Sequence, residues 1–162
     1  MKKRSILAGV LFLAALTALS AGGSKENTIK IGFNIPLTGD SPKVGEGAKY
    51  AAELVLKEVN AAGGLDVKGA KYKLEFVYVD NELKPESAVQ AALRLIEQDQ
   101  VLAVVGPAGS GRANPAAQVN NENRTPMVSP WATNPTVTLN RPYVFRACIL
   151  DPVQATSAVA FL

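Results

Sequence analysis

Ser110 is the side chain of this sequence best placed for chemistry. It lies in Gly106-Pro-Ala-Gly-Ser-Gly111, a glycine-rich run. A tight turn of that kind leaves backbone N–H groups free to hold an anion. The run lacks the Lys-Ser/Thr ending of a Walker loop, since Arg112 follows, and its glycine spacing is not the dinucleotide fingerprint. On spacing alone it is either an anion cradle or a strand-to-helix turn that binds nothing. A nucleophilic serine needs a positioned base. The sequence has no His, and no Ser-x-x-Lys pattern surrounds Ser110. A hydroxyl donor to a ligand carboxylate suits it better. The stretch Ser129-Pro-Trp-Ala-Thr-Asn-Pro135 adds a second hydroxyl, Thr133, and an aromatic surface, Trp131. The alternative for Trp131 is a core or interface aromatic. Two hydroxyls and free N–H groups from adjacent strand ends suit a small carboxylate.

Other candidates carry less. Asp80 and Glu82 form either an acid–base pair, a Mg²⁺ site or, as is more common, solvated turn carboxylates. Cys148 is the only cysteine and reads as an inert buried thiol. Without His and with one Cys, His-based triads, His-ligated metals, internal disulfides and Cys-rich zinc sites are excluded. No cofactor and no metal site is expected. The 162 residues carry 17 basic and 14 acidic side chains, a net charge of +3. A basic balance invites a nucleic-acid or membrane-surface reading. Lys2, Lys3 and Arg4, however, open an apolar run, Ile6 to Leu19, followed by small residues. Residues 1–21 therefore read as a secretory signal, with Ala18 and Ser20 meeting the small-x-small rule. Without those three, 14 basic residues face 14 acidic ones. The nucleic-acid reading loses its support, and export to the periplasm or exterior is expected. Gly22 and Gly23 stand where a lipid-acceptor Cys would be, so lipid anchoring is not expected.

Elements must position these residues. After a flexible leader at 22–27, Ile29, Ile31, Phe33 and Ile35 alternate as a strand over 28–35. A helix over 47–61 follows a polar loop and stops at Gly63-Gly64. Residues 72–79 form a strand apolar on both faces. Pro85 opens a helix to about 98 with Ala88, Ala91, Ala92, Leu95 and Ile96 inward. A short strand spans 101–105. Asn114-Pro115 starts a helix ending near 123. Strands follow at 126–129 and 143–148, and Asp151-Pro152 caps a last helix. Strands separated by such helices build an α/β, doubly wound parallel sheet. Its ligands sit at strand carboxyl ends near the topological switch point. That selects the loops 36–45, 106–113 and 130–135.

Several ordered signatures now combine. They are Ile35-Pro-Leu-Thr-Gly39, Asn60-Ala-Ala-Gly-Gly64, Val79-Asp80, Val104-Val-Gly-Pro107 with Ser110, Ser129 to Pro135, and Tyr143-Val-Phe-Arg146 with Asp151. Together they resemble the first part of the leucine-binding-protein-like solute-binding proteins of branched-chain amino acid ABC transporters. The resemblance implies a type 1 periplasmic binding protein fold, of which 28–162 is the N-terminal lobe, truncated before the second. It implies a non-enzymatic binder of small amino acids, probed by an ABC permease in the inner membrane. A ligand-sensing ectodomain of a receptor with the same fold is the alternative. By resemblance Ser110 and Thr133 share the ligand carboxylate, and the Trp131 carbonyl receives its ammonium. Ala108, Gly109 and Ala132 line the pocket. The family's cysteine pair is missing at Gly109 and around Glu82. Val44 replaces an aromatic of the first loop, and Trp131 stands where a small residue is common.

Overall fold

The computed structural model describes residues 27–161. The expected signal segment, residues 1–21, and the leader to residue 26 lie outside the described residues. The central strand β1 (Thr28–Ile35) is the alternating segment. A short edge strand β2 (Leu65–Val67) turns back into β3 (Ala70–Asp80). Then come β4 (Ala103–Val105), β5 (Met127–Ser129) and β6 (Val144–Arg146). The sheet order is β2-β3-β1-β4-β5-β6. All pairs are parallel except β2 with β3. The expected doubly wound sheet is therefore present with one antiparallel edge. All three residues of β2 are exposed, and Leu-Asp-Val is too short an alternation to mark a strand. Their pairing follows from a two-residue turn, Lys68 (φ 53°) and Gly69 (φ 86°), whose handedness suits a hairpin.

Helix α1 (Pro42–Ala61) begins five residues earlier than expected, with Pro in its first turn. Gly45, which reads as a loop residue in the sequence, lies inside the helix for steric reasons. A Cβ there would stand 1.9 Å from the Pro36 carbonyl oxygen. Helix α2 (Pro85–Leu93) continues as a π-helical turn over Arg94–Gln98. Helix α3 (Ser110–Glu122) starts four residues before Asn114, so Pro115 falls within it. Its cost is one N–H. Pro135–Val137 form a 3₁₀ turn, and α4 (Asp151–Phe161) has no buried residue.

Helices α2 and α3 cover one face of the sheet. Ala88, Ala91, Ala92, Ala113, Ala116 and Ala117 let the two helices approach closely, over Leu95, Val104, Met127 and Val144. Leu95 fills the space above Gly32, where a Cβ would meet its side chain at 2.8 Å. On the other face α1 covers β1 and β3. Phe33 stacks there on Phe76 and Tyr78, with ring centroids 4.9 and 5.1 Å apart. An open groove of about 600 Å³, lined by apolar residues including Ile31, Val55 and Val105, lies along this face. Phe145 of β6 continues the same face and is 52% exposed. Among the described residues no helix is long and apolar enough to cross a membrane.

Candidate functional site

Strand β1 lies between β3 and β4. The chain leaves β1 toward one face and leaves β4 toward the other. The carboxyl ends of β1 and β4 thus flank the topological switch point, where a crevice must open. A groove of about 280 Å³ occupies that place. It is lined by Ser41, Val44, Leu83, Ala108, Gly109, Arg112 and Trp131.

The first wall is the loop after β1. The Asp80 carboxylate, at the end of β3, gathers it. Its Oδ1 accepts from the N–H groups of Leu37 (2.8 Å), Thr38 (3.2 Å) and Glu82 (2.8 Å). Oδ2 accepts from the Thr38 hydroxyl. Burial pushes this carboxyl up. The bonds from the Thr38 hydroxyl and the three N–H groups outweigh that and hold it below 3.8. From the sequence, Asp80 reads as an acid–base or Mg²⁺ candidate or, more commonly, a solvated turn residue. The missed signal is an Asp at a strand end facing a second strand end in register, Ile35 opposite Asp80. Glu82 is no acid–base partner, since its carboxylate pairs with Lys84 at 2.7 Å. Among the described residues no cluster of three potential metal ligands occurs.

The second wall joins the loops after β4 and β5. Gly106 (φ 98°) passes so close to β1 that a Cβ would stand 2.2 Å from the Asn34 carbonyl oxygen. Ser129 Oγ donates to the Pro107 carbonyl at 2.8 Å. Gly109 (φ 77°) precedes α3, placing Ser110 in its first turn. Ser110 Oγ accepts from the Asn134 N–H at 3.1 Å, which ties the glycine-rich turn to the Trp131–Pro135 loop. Its hydroxyl proton remains free to donate. The first N–H groups of an α-helix have no partner within it, and those of Ser110 and Gly111 find none in the loops among the described residues.

Arg146, on β6, shapes the same loop. Its Nη1 donates to the carbonyls of Ala132 and Asn134, both at 2.9 Å. Its Nη2 donates to the Pro135 carbonyl at 3.1 Å and to Thr138 Oγ1 at 2.7 Å. The Thr133 carbonyl accepts from the Asp151 N–H at 3.0 Å. Of the carbonyls from 131 to 135, only that of Trp131 has no donor among the described residues. The Thr133 N–H and hydroxyl are equally unclaimed there.

The structure thus brings Ala108, Gly109 and Trp131 onto one groove, with Ser110 and Thr133 on the loops that form its wall. Trp131 is 59% exposed, so the core reading does not hold among the described residues. Ala132 departs from expectation. Its side chain is fully buried in the α2–α3 core and does not face the groove. The alternation of side chains after β5 turns it inward when Trp131 points out. Cys148 is half-buried and free.

Comparison with known proteins fits this geometry. Residues 28–162 match the profile of the Periplasmic binding protein family. An "Amino acid binding protein" of Pseudomonas aeruginosa is 34% identical over 159 residues, covering 98% of this chain and 41% of that protein. The "Leu/Ile/Val-binding protein homolog 2" of Brucella abortus is 33% identical over 153 residues, covering 94% of this chain and 39% of that protein. Among solved structures, LivJ of Streptococcus pneumoniae, the substrate-binding protein of a branched-chain amino acid transporter in complex with isoleucine, superposes with a TM-score of 0.71. It is 35% identical, and the match covers 77% of this chain and 35% of that one. The chain spans about 40% of the length of these curated relatives. The sheet order, helix placement and switch-point crevice are those of the type 1 periplasmic binding fold, and the chain belongs to the periplasmic binding protein family.

Proposed function

We propose that this chain is the extracytoplasmic substrate-binding component of an ABC importer for amino acids, branched-chain ones first among them. Residues 28–162 serve as the N-terminal lobe of its clamp. One observation carries the reading: donors and a carbonyl that have no partner among the described residues lie together on the two joined loops at the switch point. The N–H groups of Ser110 and Gly111, the Ser110 hydroxyl, and the N–H and hydroxyl of Thr133 suit a carboxylate. The Trp131 carbonyl suits an ammonium. An amino acid presents that pair of charges one carbon apart. The names of the relatives support the ligand class. The signal reading of residues 1–21 supports export, where a membrane permease would take the loaded protein. Binding requires no bond making, so the role is recognition and delivery rather than catalysis.

The only Trp in the chain is Trp131, half-exposed on the groove, so its fluorescence reports binding directly. Leucine or isoleucine titrated into the full chain is expected to change that emission saturably. Ser110→Ala and Thr133→Ala are each expected to weaken binding about tenfold, the cost of a hydrogen bond to a charged group. Unchanged affinity in both variants would refute the assignment.

A further inference from the structure

We propose that Arg112 is a further carboxylate-binding residue of this groove, its guanidinium sharing the charge of the ligand carboxylate held at the start of α3. The proposal rests on the reading of the crevice as an amino-acid site and names a residue that reading does not use.

Arg112 sits in the first turn of α3, and its side chain folds back over the turn that precedes the helix. Nε donates to the Ala108 carbonyl at 3.0 Å. Nη2 lies over Gly109, where a Cβ would approach it to 2.2 Å. Gly109 is thus small both for its positive φ and for the guanidinium above it. The remaining N–H donors of the fork have no acceptor, and the side chain joins no ion pair among the described residues. The nearby acidic groups are committed elsewhere, Asp80 to N–H groups of the first loop and Glu82 to Lys84. Arg112 nevertheless lines the switch-point groove beside Trp131.

The electrostatics are unfavourable as they stand. A helix N-terminus carries the positive end of the peptide dipoles, so a cation in the first turn is destabilising there. Here the cation does not extend away into solvent but folds onto that terminus. An anion in the groove is attracted to both the guanidinium and the helix terminus and offsets their mutual repulsion. Planar donor forks recognise carboxylates in two-point geometry, which a lysine cannot reproduce. Ser110 and Thr133 then supply hydroxyl donors, the helix supplies N–H groups, and Arg112 supplies the full charge.

The test uses Trp131 fluorescence on the full chain, with Arg112→Gln and Arg112→Lys, and with leucine, leucinamide, glutamate and glutamine as probes. Arg112→Gln is expected to weaken leucine about tenfold or more, and Arg112→Lys to lie between. Leucinamide, lacking the carboxylate, is expected to be insensitive to the substitution. The ratio of glutamate to glutamine affinity is expected to stay fixed, because the carboxylate read is the one common to all amino acids. Without ligand, Arg112→Gln is expected to be at least as resistant to thermal unfolding as the parent, since a like charge is removed from the helix start. A purely structural arginine would instead lose stability. Leucine affinity unchanged in Arg112→Gln overturns the proposal. So does a glutamate preference that vanishes while leucine is unaffected, which assigns Arg112 to a side-chain carboxylate. If Ser110→Ala and Thr133→Ala weaken leucine while Arg112→Gln does not, the amino-acid reading stands and only Arg112 falls. If none of the three matters, the site itself is wrong.

Discussion

The two walls of the crevice are held by opposite chemistry. Asp80 gathers the loop after β1 by accepting hydrogen bonds. Arg146 gathers the loop after β5 by donating them. In the proposed function this difference decides where each end of a zwitterion belongs. A carboxylate consumes N–H groups, so Leu37 and Thr38 have none left for a ligand anion. A guanidinium consumes carbonyls, so the second wall keeps the Thr133 N–H and, among the described residues, spares one carbonyl from 131 to 135, at Trp131; the start of α3 adds the N–H groups of Ser110 and Gly111. The anion site proposed for the second wall therefore draws on how its loop is braced, and not on the glycine-rich turn alone.

The strongest way to break the comparison is to separate the walls where they touch. Gly106→Ala adds a Cβ 2.2 Å from the Asn34 carbonyl oxygen at a φ of 98°. Steric overlap with backbone and a left-handed conformation act together. The expected loss is roughly 3 kcal/mol or more in urea unfolding. A loss below about 1 kcal/mol would show that β4 and β1 do not meet as described. Next in size is Arg146→Ala. It removes four hydrogen bonds and strands the carbonyl of the buried Ala132. About 2–3 kcal/mol is expected, together with a shift in Trp131 emission, because the loop bearing it loosens. Arg146→Lys keeps the charge but loses the fork and should recover less than half. Full recovery by Lys would mean that charge rather than geometry braces the loop.

How much of this was legible in the residues depended on whether a position announced its neighbour. The alternation of Ile29, Ile31, Phe33 and Ile35 gave β1 because burial on one face leaves a period of two. Ala88, Ala91, Ala92 and Leu95 gave the inner stripe of α2. The fold family followed from signatures clustered at strand ends, which is where Ser110, Trp131 and Thr133 lie. Other features depend on contacts distant in sequence. Gly45 reads as a loop glycine until Pro36 is found against it. β2 is exposed on all three residues and exists only because β3 pairs with it. Pro115 reads as a helix start, although α3 begins where Gly109 turns the chain. Asp80 and Arg146 stand in the family signatures, but nothing near them in sequence announces a bracing role. Their roles come from acceptors and donors brought to them by sheet register, 42 or 43 residues away for Asp80 and 8 to 14 for Arg146.

The smallest expected effect also sharpens the comparison most, because it separates the walls by pH. Asp80 is held below its ordinary value by the bonds it accepts, against the upward push of burial. A carboxyl depressed in the folded state contributes stability that is complete above its unfolded value, near 3.8, and is lost as pH falls through the folded one. Asp80→Asn removes that contribution: the amide oxygen can keep the three N–H groups that Oδ1 accepts from, and the amide NH2 then stands where Oδ2 accepts from the Thr38 hydroxyl. In thermal unfolding the gap between parent and Asp80→Asn should therefore be constant from neutral pH down to about 5. It should narrow as the pH drops below 3.8, when protonation of the parent carboxyl begins to do what the substitution did. The gap between parent and Arg146→Ala should not narrow over the same range, since a guanidinium and carbonyls do not titrate there. Acid would then loosen the first wall and leave the second braced. A parallel narrowing of both gaps would show that the two loops unfold as one unit, and that the division into an acceptor-braced and a donor-braced wall has no energetic meaning.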